Sequence, residues 1–124
     1  MKLILATLLT TAALAGPASA FIAKNGLIVE PSGTNRFEVP YRGLSGTSDF
    51  WCAAGEYVVR RLNMPPSTRI YRVSRPPRRS GQGIAFSLSS EGATRTGLLL
   101  LSGRSSVTAS HARLLCDVPN LTAD

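Results

Sequence analysis

Hydrophobic residues recur at helical spacing in one stretch of the chain, residues 49–63. Spaced at 100° per residue, the apolar positions of this stretch fall on one broad face, which predicts an amphipathic helix packed on a core. Ser48 or Asp49 is expected to cap its first amides, and Asn63 with the following prolines is expected to end it. The apolar face holds Trp51, Cys52, Ala54, Gly55, Val58, Val59 and Leu62, and the opposite face holds Asp49, Ala53, Glu56, Arg60 and Asn63.

Two features refine this helix. Gly55 lies in the middle of the apolar face, where its helix penalty of about 1 kcal/mol indicates that another backbone passes close by. Glu56 and Arg60 stand four residues apart and form a favourable pair. Trp51 lies at the centre of the apolar face and is expected in the core, whereas Tyr57, at its edge, could be a core ring or a ligand-contacting one.

The other hydrophobic segments are short and mostly alternate with polar residues, which predicts strands. Asn25 and Gly26 are expected to form a hairpin turn between strands at 21–24 and 27–30. The run 98–101 has no polar face and is expected at the centre of the sheet, covered on both sides. Further strands are predicted at 36–39, 68–75, 84–88 and 106–109, followed by a helical turn that carries Leu114, Leu115 and Cys116 towards the first helix. Together these elements predict an α+β domain with one amphipathic helix on an antiparallel sheet of about four to six strands.

The first twenty residues have the pattern of a signal peptide. Lys2 precedes an uncharged apolar run at 3–14, and Ala18-Ser19-Ala20 matches the small-residue cleavage pattern. The run is shorter than the roughly 18 residues of a membrane-spanning helix, which disfavours a transmembrane anchor or a buried core segment. We therefore expect cleavage after Ala20, export to the periplasm or the medium, and a single domain at 21–124.

The cysteine content of the chain also supports export. Cys52 and Cys116 are the only two cysteines and do not form a C-x-x-C pair. In an exported chain they are expected to form a disulfide, with a catalytic or metal-binding thiol as the alternative. Since the chain has one histidine and lacks paired carboxylates, neither a metal site nor a cofactor is predicted.

Catalytic motifs are mainly missing, since the chain has no G-x-S-x-G, and its lone G-x-G opens a predicted strand. One catalytic arrangement is compatible with the sequence. Small secreted basic ribonucleases use a glutamate base, an arginine for the phosphate and a late histidine acid. Residue types and order allow Glu91, Arg95 or Arg104, and His111 to fill these roles, but no family motif accompanies them. The alternative is that His111 has no catalytic task.

Arginine is the strongest compositional feature. The chain has 14 Lys+Arg against 7 Asp+Glu, a formal net charge of +7. Its segment 60–79 contains no acidic residue and presents part of its charge on a stiff Pro-Pro loop. Guanidinium groups form bidentate bonds to phosphate and carboxylate, so this segment predicts an anion-binding face. The alternative is that these arginines form a solvated basic face or reflect a GC-rich genome. Arg60 and Arg61 lie at the helix end, and the predicted binding residues are Arg69, Arg72, Arg75, Arg78 and Arg79.

The block SDFWCAAGEYVVRRLNMPPSTRIYRVSRPPRRSGQGIAFSLS resembles a type seen in small uncharacterised exported proteins of alphaproteobacteria. It covers the helix, the next strand and the arginine-rich loop. The resemblance implies a Gram-negative periplasmic setting, and no functional residues transfer with it.

The sequence therefore predicts a non-enzymatic exported module with one disulfide. Its expected partner is an anionic envelope polymer or an acidic protein. Nucleic acid is not expected as the natural partner because it is scarce in a periplasm. The alternative is the small secreted ribonuclease-like hydrolase that uses Glu91, Arg104 and His111.

Overall fold

The short segments with alternating buried and exposed residues form one antiparallel sheet, and the fold also contains two α-helices. The structure is a computed structural model and describes residues 20–99 and 103–117. Within these ranges six strands are arranged in the order β1-β2-β3-β5-β4-β6, and the predicted α+β class is confirmed. The strands are β1 (Phe21–Ile22), β2 (Ile28–Gly33), β3 (Arg36–Val39), β4 (Arg69–Arg72), β5 (Ile84–Ser87) and β6 (Ser106–Thr108), and the helices are α1 (Thr47–Glu56) and α2 (Ala109–Leu114).

The centre of the sheet is formed by β3 and β5. Phe37 pairs with Phe86 and Val39 with Ile84, and all four side chains are buried on the face that packs against α1. The alternate residues of β3 are exposed on the other face, so this central strand is covered on one side only. The prediction that the run at 98–101 forms the sheet centre is therefore wrong.

Within that run, Leu98 is buried but does not belong to any of the six strands, and Leu99 is 57% exposed. Leu100 and Leu101 lie outside the described residues.

The predicted hairpin turn at Asn25-Gly26 is confirmed. The Ala23 amide donates to the Leu27 carbonyl at 2.9 Å, and Gly26 has a φ of 88°, a conformation that glycine adopts without strain. The Asn25 side chain also donates to the Asp49 carbonyl at 2.9 Å. This bond fastens the hairpin to α1.

Helix α1 begins earlier than predicted and is more deeply buried. Its N-cap is Gly46, which has no capping side chain, and Ser48 and Asp49 lie within the first turn. Burial raises the pKa of the Asp49 carboxyl. Ala53 and Glu56, expected on a polar face, are also buried because α2 and the C-terminal turn cover that side of the helix.

The contact between α1 and α2 explains Gly55. A Cβ at Gly55 would lie 2.8 Å from the Ala112 Cβ and 2.9 Å from the Ala109 carbonyl oxygen. The predicted close approach at Gly55 is therefore confirmed, and the backbone that approaches is that of α2. After Glu56 the helix continues as a π-helical turn (Tyr57–Arg61).

The C-terminal elements return to α1 as predicted. The Thr108 side chain caps α2, which is followed by a 3-10 turn (Leu115–Asp117). Cys116 in this turn forms a disulfide with Cys52, with the two Cα atoms 4.8 Å apart. The predicted disulfide is confirmed.

Across 20–99 and 103–117, no helix has the length and apolar character needed to cross a bilayer. The predicted signal peptide falls almost entirely on residues outside this described part of the chain.

Candidate functional site

The seven arginines of segment 60–79 do not form one continuous surface. Arg60 and Arg61 lie in the π-helical turn, with their guanidinium carbons 5.4 Å and 5.7 Å from the centroid of the Phe21 ring. Arg60 also donates to the buried Glu56 carboxylate at 2.9 Å. These two side chains therefore contact the first hairpin and the helix, away from the loop arginines.

Arg72 is a core residue, which corrects its prediction as an anion-binding group. It is 0% exposed, and its guanidinium donates to the Ser74 carbonyl at 2.8 Å and the Thr96 carbonyl at 3.1 Å. Alternation along β4 places Ile70 and Arg72 on the buried face of the sheet.

The same region confirms that Trp51 belongs to the core. Its indole nitrogen donates to the Thr96 carbonyl at 3.0 Å.

Arg69 remains exposed on the outer face of β4. Its guanidinium donates to the Ser106 hydroxyl on the neighbouring strand at 3.1 Å. A single exposed arginine in this position offers one charge to a partner but no enclosed site.

Arg78 fixes the loop that joins β4 to β5. Its guanidinium donates to the Gln82 carbonyl at 2.8 Å, the Arg79 carbonyl at 3.0 Å and the Ser45 carbonyl at 3.1 Å. It also lies over two rings, 5.2 Å from the Phe50 centroid and 5.6 Å from the Tyr41 centroid. Its donors are therefore used within the protein, and the loop is held against the start of α1.

Arg75 and Arg79 are the two exposed arginines of this loop. They line a hollow of about 310 Å³ together with Pro76, Pro77 and Gln82, and none of these lining residues is acidic. Neither guanidinium forms a hydrogen bond or ion pair with another residue of the described ranges. We call residues 75–82 the arginine loop. Its two free guanidinium groups can each donate to an anionic oxygen.

The four candidate catalytic residues are all exposed. Glu91 and Arg95 lie in the loop after β5, Arg104 lies before β6, and His111 lies in α2. Glu91 lies in the turn after β5, where its amide donates to the Ser89 hydroxyl at 3.3 Å. His111 lies in the first turn of α2, and its amide donates to the Thr108 hydroxyl at 3.3 Å. The described contacts include no hydrogen bond or ion pair that joins the side chains of Glu91, Arg95, Arg104 and His111. No geometric observation therefore favours the ribonuclease-like alternative.

Sequence reasoning found only part of the charge cluster around Glu56. This carboxylate is 2% exposed and accepts from the Lys24 amide at 3.1 Å, from Arg60 at 2.9 Å and from Arg113 at 3.3 Å. The four-residue spacing predicted the Arg60 contact, which is confirmed. The other two partners are 32 and 57 residues away in sequence and leave no local pattern. The cluster ties the first hairpin to both helices.

Among residues 20–99 and 103–117, no group of three or more His, Cys, Asp and Glu side chains could hold a metal ion. No protein-family model, curated protein or solved structure matches the chain. The resemblance to exported alphaproteobacterial proteins stays a prediction, and the functional argument depends on geometry and charge.

Proposed function

We propose that this chain is an exported, non-enzymatic module that binds anionic partners through the arginine loop. The observation that carries this proposal is the pair Arg75 and Arg79. Both are exposed, both retain their donors, and they lie beside a hollow with no acidic lining residue. Anions therefore meet two positive charges there without competition from a neighbouring carboxylate.

The rigidity of the arginine loop supports this role. Because Arg78 bonds three carbonyl groups around it, the loop is ordered before any ligand arrives. A preorganised site loses less conformational entropy on binding than a flexible loop does. Arg78 is thus a positioning residue, and Arg75 and Arg79 are the proposed contacts.

The expected setting favours a polymer of the cell envelope as the ligand. The predicted signal peptide directs the chain out of the cytoplasm, and the Cys52–Cys116 disulfide is compatible with an oxidising compartment. Phosphate and carboxylate groups on envelope polymers match the bidentate geometry of guanidinium. An acidic protein is the second expected partner, and nucleic acid is a poor candidate for the natural one.

Two contacts of this kind give weak, salt-sensitive binding. Each phosphate contact releases counterions, so the logarithm of affinity falls with the logarithm of salt concentration by roughly one unit per contact. The net charge of +7 adds a general attraction that the arginine loop does not control. The experiment must therefore distinguish the contribution of the arginine loop to binding from the contribution of the net charge.

We would measure binding to lipopolysaccharide between about 50 and 200 mM salt, a range wide enough to determine the salt slope. Arg75→Gln/Arg79→Gln is expected to flatten the salt slope by roughly two units. The matched control Arg69→Gln/Arg104→Gln removes the same two charges elsewhere and should change the slope less. Equal changes in the two double variants would show that only net charge matters.

Polyglutamate serves as a probe for the acidic-protein partner in the same assay. Retention of polyglutamate with no binding to lipopolysaccharide would assign the loop to an acidic protein. Failure of both probes to bind would refute the proposal.

A further inference from the structure

The outer face of the sheet, which is turned away from α1, carries two like charges side by side. Glu30 on β2 is directly opposite Glu38 on β3, and both residues are exposed. Residues in this relation have Cβ atoms about 4.5–5.5 Å apart on the same face, and like charges there are destabilising. A positively charged partner would relieve the repulsion. We call Glu30 and Glu38 the glutamate pair.

The chain itself does not neutralise the glutamate pair. Neither glutamate forms an ion pair with another residue of the described ranges, whereas Glu56 and Asp117 do. Arg36 lies two residues before Glu38 on the same face of β3, but its guanidinium donates to the Glu91 carbonyl at 3.5 Å. The glutamate pair therefore keeps its charge for a partner outside the chain.

The glutamate pair and the arginine loop lie at opposite ends of one row of residues across the outer face. Glu38 is opposite Ala85 on β5, and the Val73 amide donates to the Ala85 carbonyl at 2.9 Å. Since neighbouring strands are about 4.7–4.9 Å apart, the row from Glu30 to Val73 spans roughly 14 Å. Two residues after Val73 the chain reaches Arg75, where the arginine loop begins.

This row is complementary to a second copy of itself. Its middle is apolar, because Ala85 and Val73 are partly exposed there, and its two ends carry opposite charges. A twofold axis through the middle places the negative end of one copy against the positive end of the other. The same rotation forms the reverse contact, so the interface closes in a dimer.

We propose that the outer face binds a second copy of this chain, with the glutamate pair of each protomer against Arg75 and Arg79 of the other. The two carboxylates and the two free guanidinium groups match in number and in sign. The proposal depends on these guanidinium groups being free, and not on the anionic ligand assigned to the arginine loop. Because both partners use the same groups, a polyanion and the second copy compete for the loop.

The dimer is expected to be weak. Exposed ion pairs contribute little individually, and the formal net charge of +7 repels two copies from each other. We would therefore measure sedimentation equilibrium of the protein without residues 1–20 at low salt, over a range of protein concentrations that extends as high as solubility allows. The wild type should show a reversible monomer–dimer equilibrium.

Charge reversal at either end of the row tests the contact. Glu30→Arg/Glu38→Arg and Arg75→Glu/Arg79→Glu each place like charges together in their own dimers, and each should self-associate at least about tenfold more weakly than the wild type. An equimolar mixture of the two variants should associate at least as tightly as the wild type, because every contact then pairs arginine with glutamate. Both variants remain net positive, so net charge cannot produce this recovery.

The matched control is Arg95→Glu/Arg104→Glu, which reverses two exposed charges elsewhere. It should not associate with Glu30→Arg/Glu38→Arg. Equal association by this control would overturn the proposal, and so would a mixture of the two test variants that associates no better than they do alone. Species larger than a dimer would overturn the twofold arrangement.

A separate measurement distinguishes this proposal from the function proposed for the arginine loop. Glu30→Arg/Glu38→Arg keeps Arg75 and Arg79 and removes their competitor, so it should bind lipopolysaccharide at least as tightly as the wild type. Recovery of association in the mixture with no lipopolysaccharide binding by any variant would refute the anion-binding function and leave the dimer. Lipopolysaccharide binding with no recovery in the mixture would refute the dimer alone.

Discussion

Three arginines close together in sequence have three different environments. Arg72 is enclosed in the core, Arg78 is bonded to the backbone around it, and Arg75 is exposed with its donors free. The three side chains are of the same type and belong to the same charged segment, but they differ in burial and in hydrogen bonding. At the residue scale, the proposed function therefore depends on which guanidinium groups the fold leaves without a partner.

The core position of Arg72 predicts a large effect on stability. Arg72→Ala removes one of the largest fully buried side chains and its bonds to two carbonyl groups. We expect the free energy of unfolding to fall by about 3 kcal/mol or more, measured by urea denaturation. Arg69→Ala, an exposed change on the same strand, should stay within about 0.5 kcal/mol of the wild type. Similar values for the two variants would contradict the burial of Arg72.

Tyr57 predicts a loss of stability in alkaline solution. Its folded pKa is raised above the ordinary value of 10.0, chiefly by burial, so the unfolded chain releases this proton first. The stabilising contribution is complete below pH 10 and is lost as pH rises through the folded pKa. Tyr57→Phe should show a smaller decline over that range in urea denaturation. An identical decline in both proteins would refute the assignment.

At the scale of elements, the sequence located α1 and most strands but underestimated how much of α1 is covered. Hydrophobic periodicity identified the face against the sheet. The second contact, with α2, involves Ala109 and Ala112, whose small side chains give no strong apolar signal. Gly55 was the local clue to it, since its cost in a helix needs a packing reason.

This helix contact predicts that Gly55→Ala is destabilising. A methyl group would crowd Ala112 and the Ala109 carbonyl, and overpacking costs about 1–3 kcal/mol against a gain of at most about 1 kcal/mol in helix propensity. Gly103→Ala is the matched control, because an added Cβ there meets nothing within 4 Å. Thermal denaturation should show a lower midpoint for Gly55→Ala only. A stabilised Gly55→Ala would mean that α1 and α2 lie further apart.

At the scale of the whole molecule, the disulfide joins the middle of α1 to the C-terminal turn. It closes a sequence separation of 64 residues, for which the chain-entropy model gives about 4 kcal/mol. Cys52→Ala/Cys116→Ala should lose roughly this amount in urea denaturation, and the wild type should lose a comparable amount on reduction. Unchanged stability in the double variant would contradict the cross-link as a main source of stability.

Fold class and disulfide could be predicted because they depend on local periodicity and on a cysteine count. The arrangement of the sheet could not, because strand order follows from long-range pairing. Thus β5 inserts between β3 and β4, and the prediction that the apolar run at 98–101 forms the centre is wrong. The candidate site could likewise be predicted only in part, because local sequence shows charge but not tertiary contacts. The charge of segment 60–79 is visible in the sequence, whereas the burial of Arg72 and the free donors of Arg75 and Arg79 depend on tertiary contacts.

Enzymatic activity can be tested directly at this scale. Under the proposed binding function, the purified protein without residues 1–20 should not cleave RNA, and His111→Ala should behave identically, because the described contacts do not join His111 to Glu91 or Arg104. Cleavage by the wild type that is lost in His111→Ala would replace the binding function with the ribonuclease-like alternative.

Arg75 and Arg79 are the proposed anion contacts. The most direct measurement follows the arginine side-chain Nε–H signals by NMR while a sulfated oligosaccharide derived from heparin is added. The signals of Arg75 and Arg79 should shift together and saturate, while those of Arg69 and Arg104 shift little and that of the buried Arg72 stays in place. Shifts centred on Arg69, Arg104 or the π-helical turn, with Arg75 and Arg79 unchanged, would contradict the account.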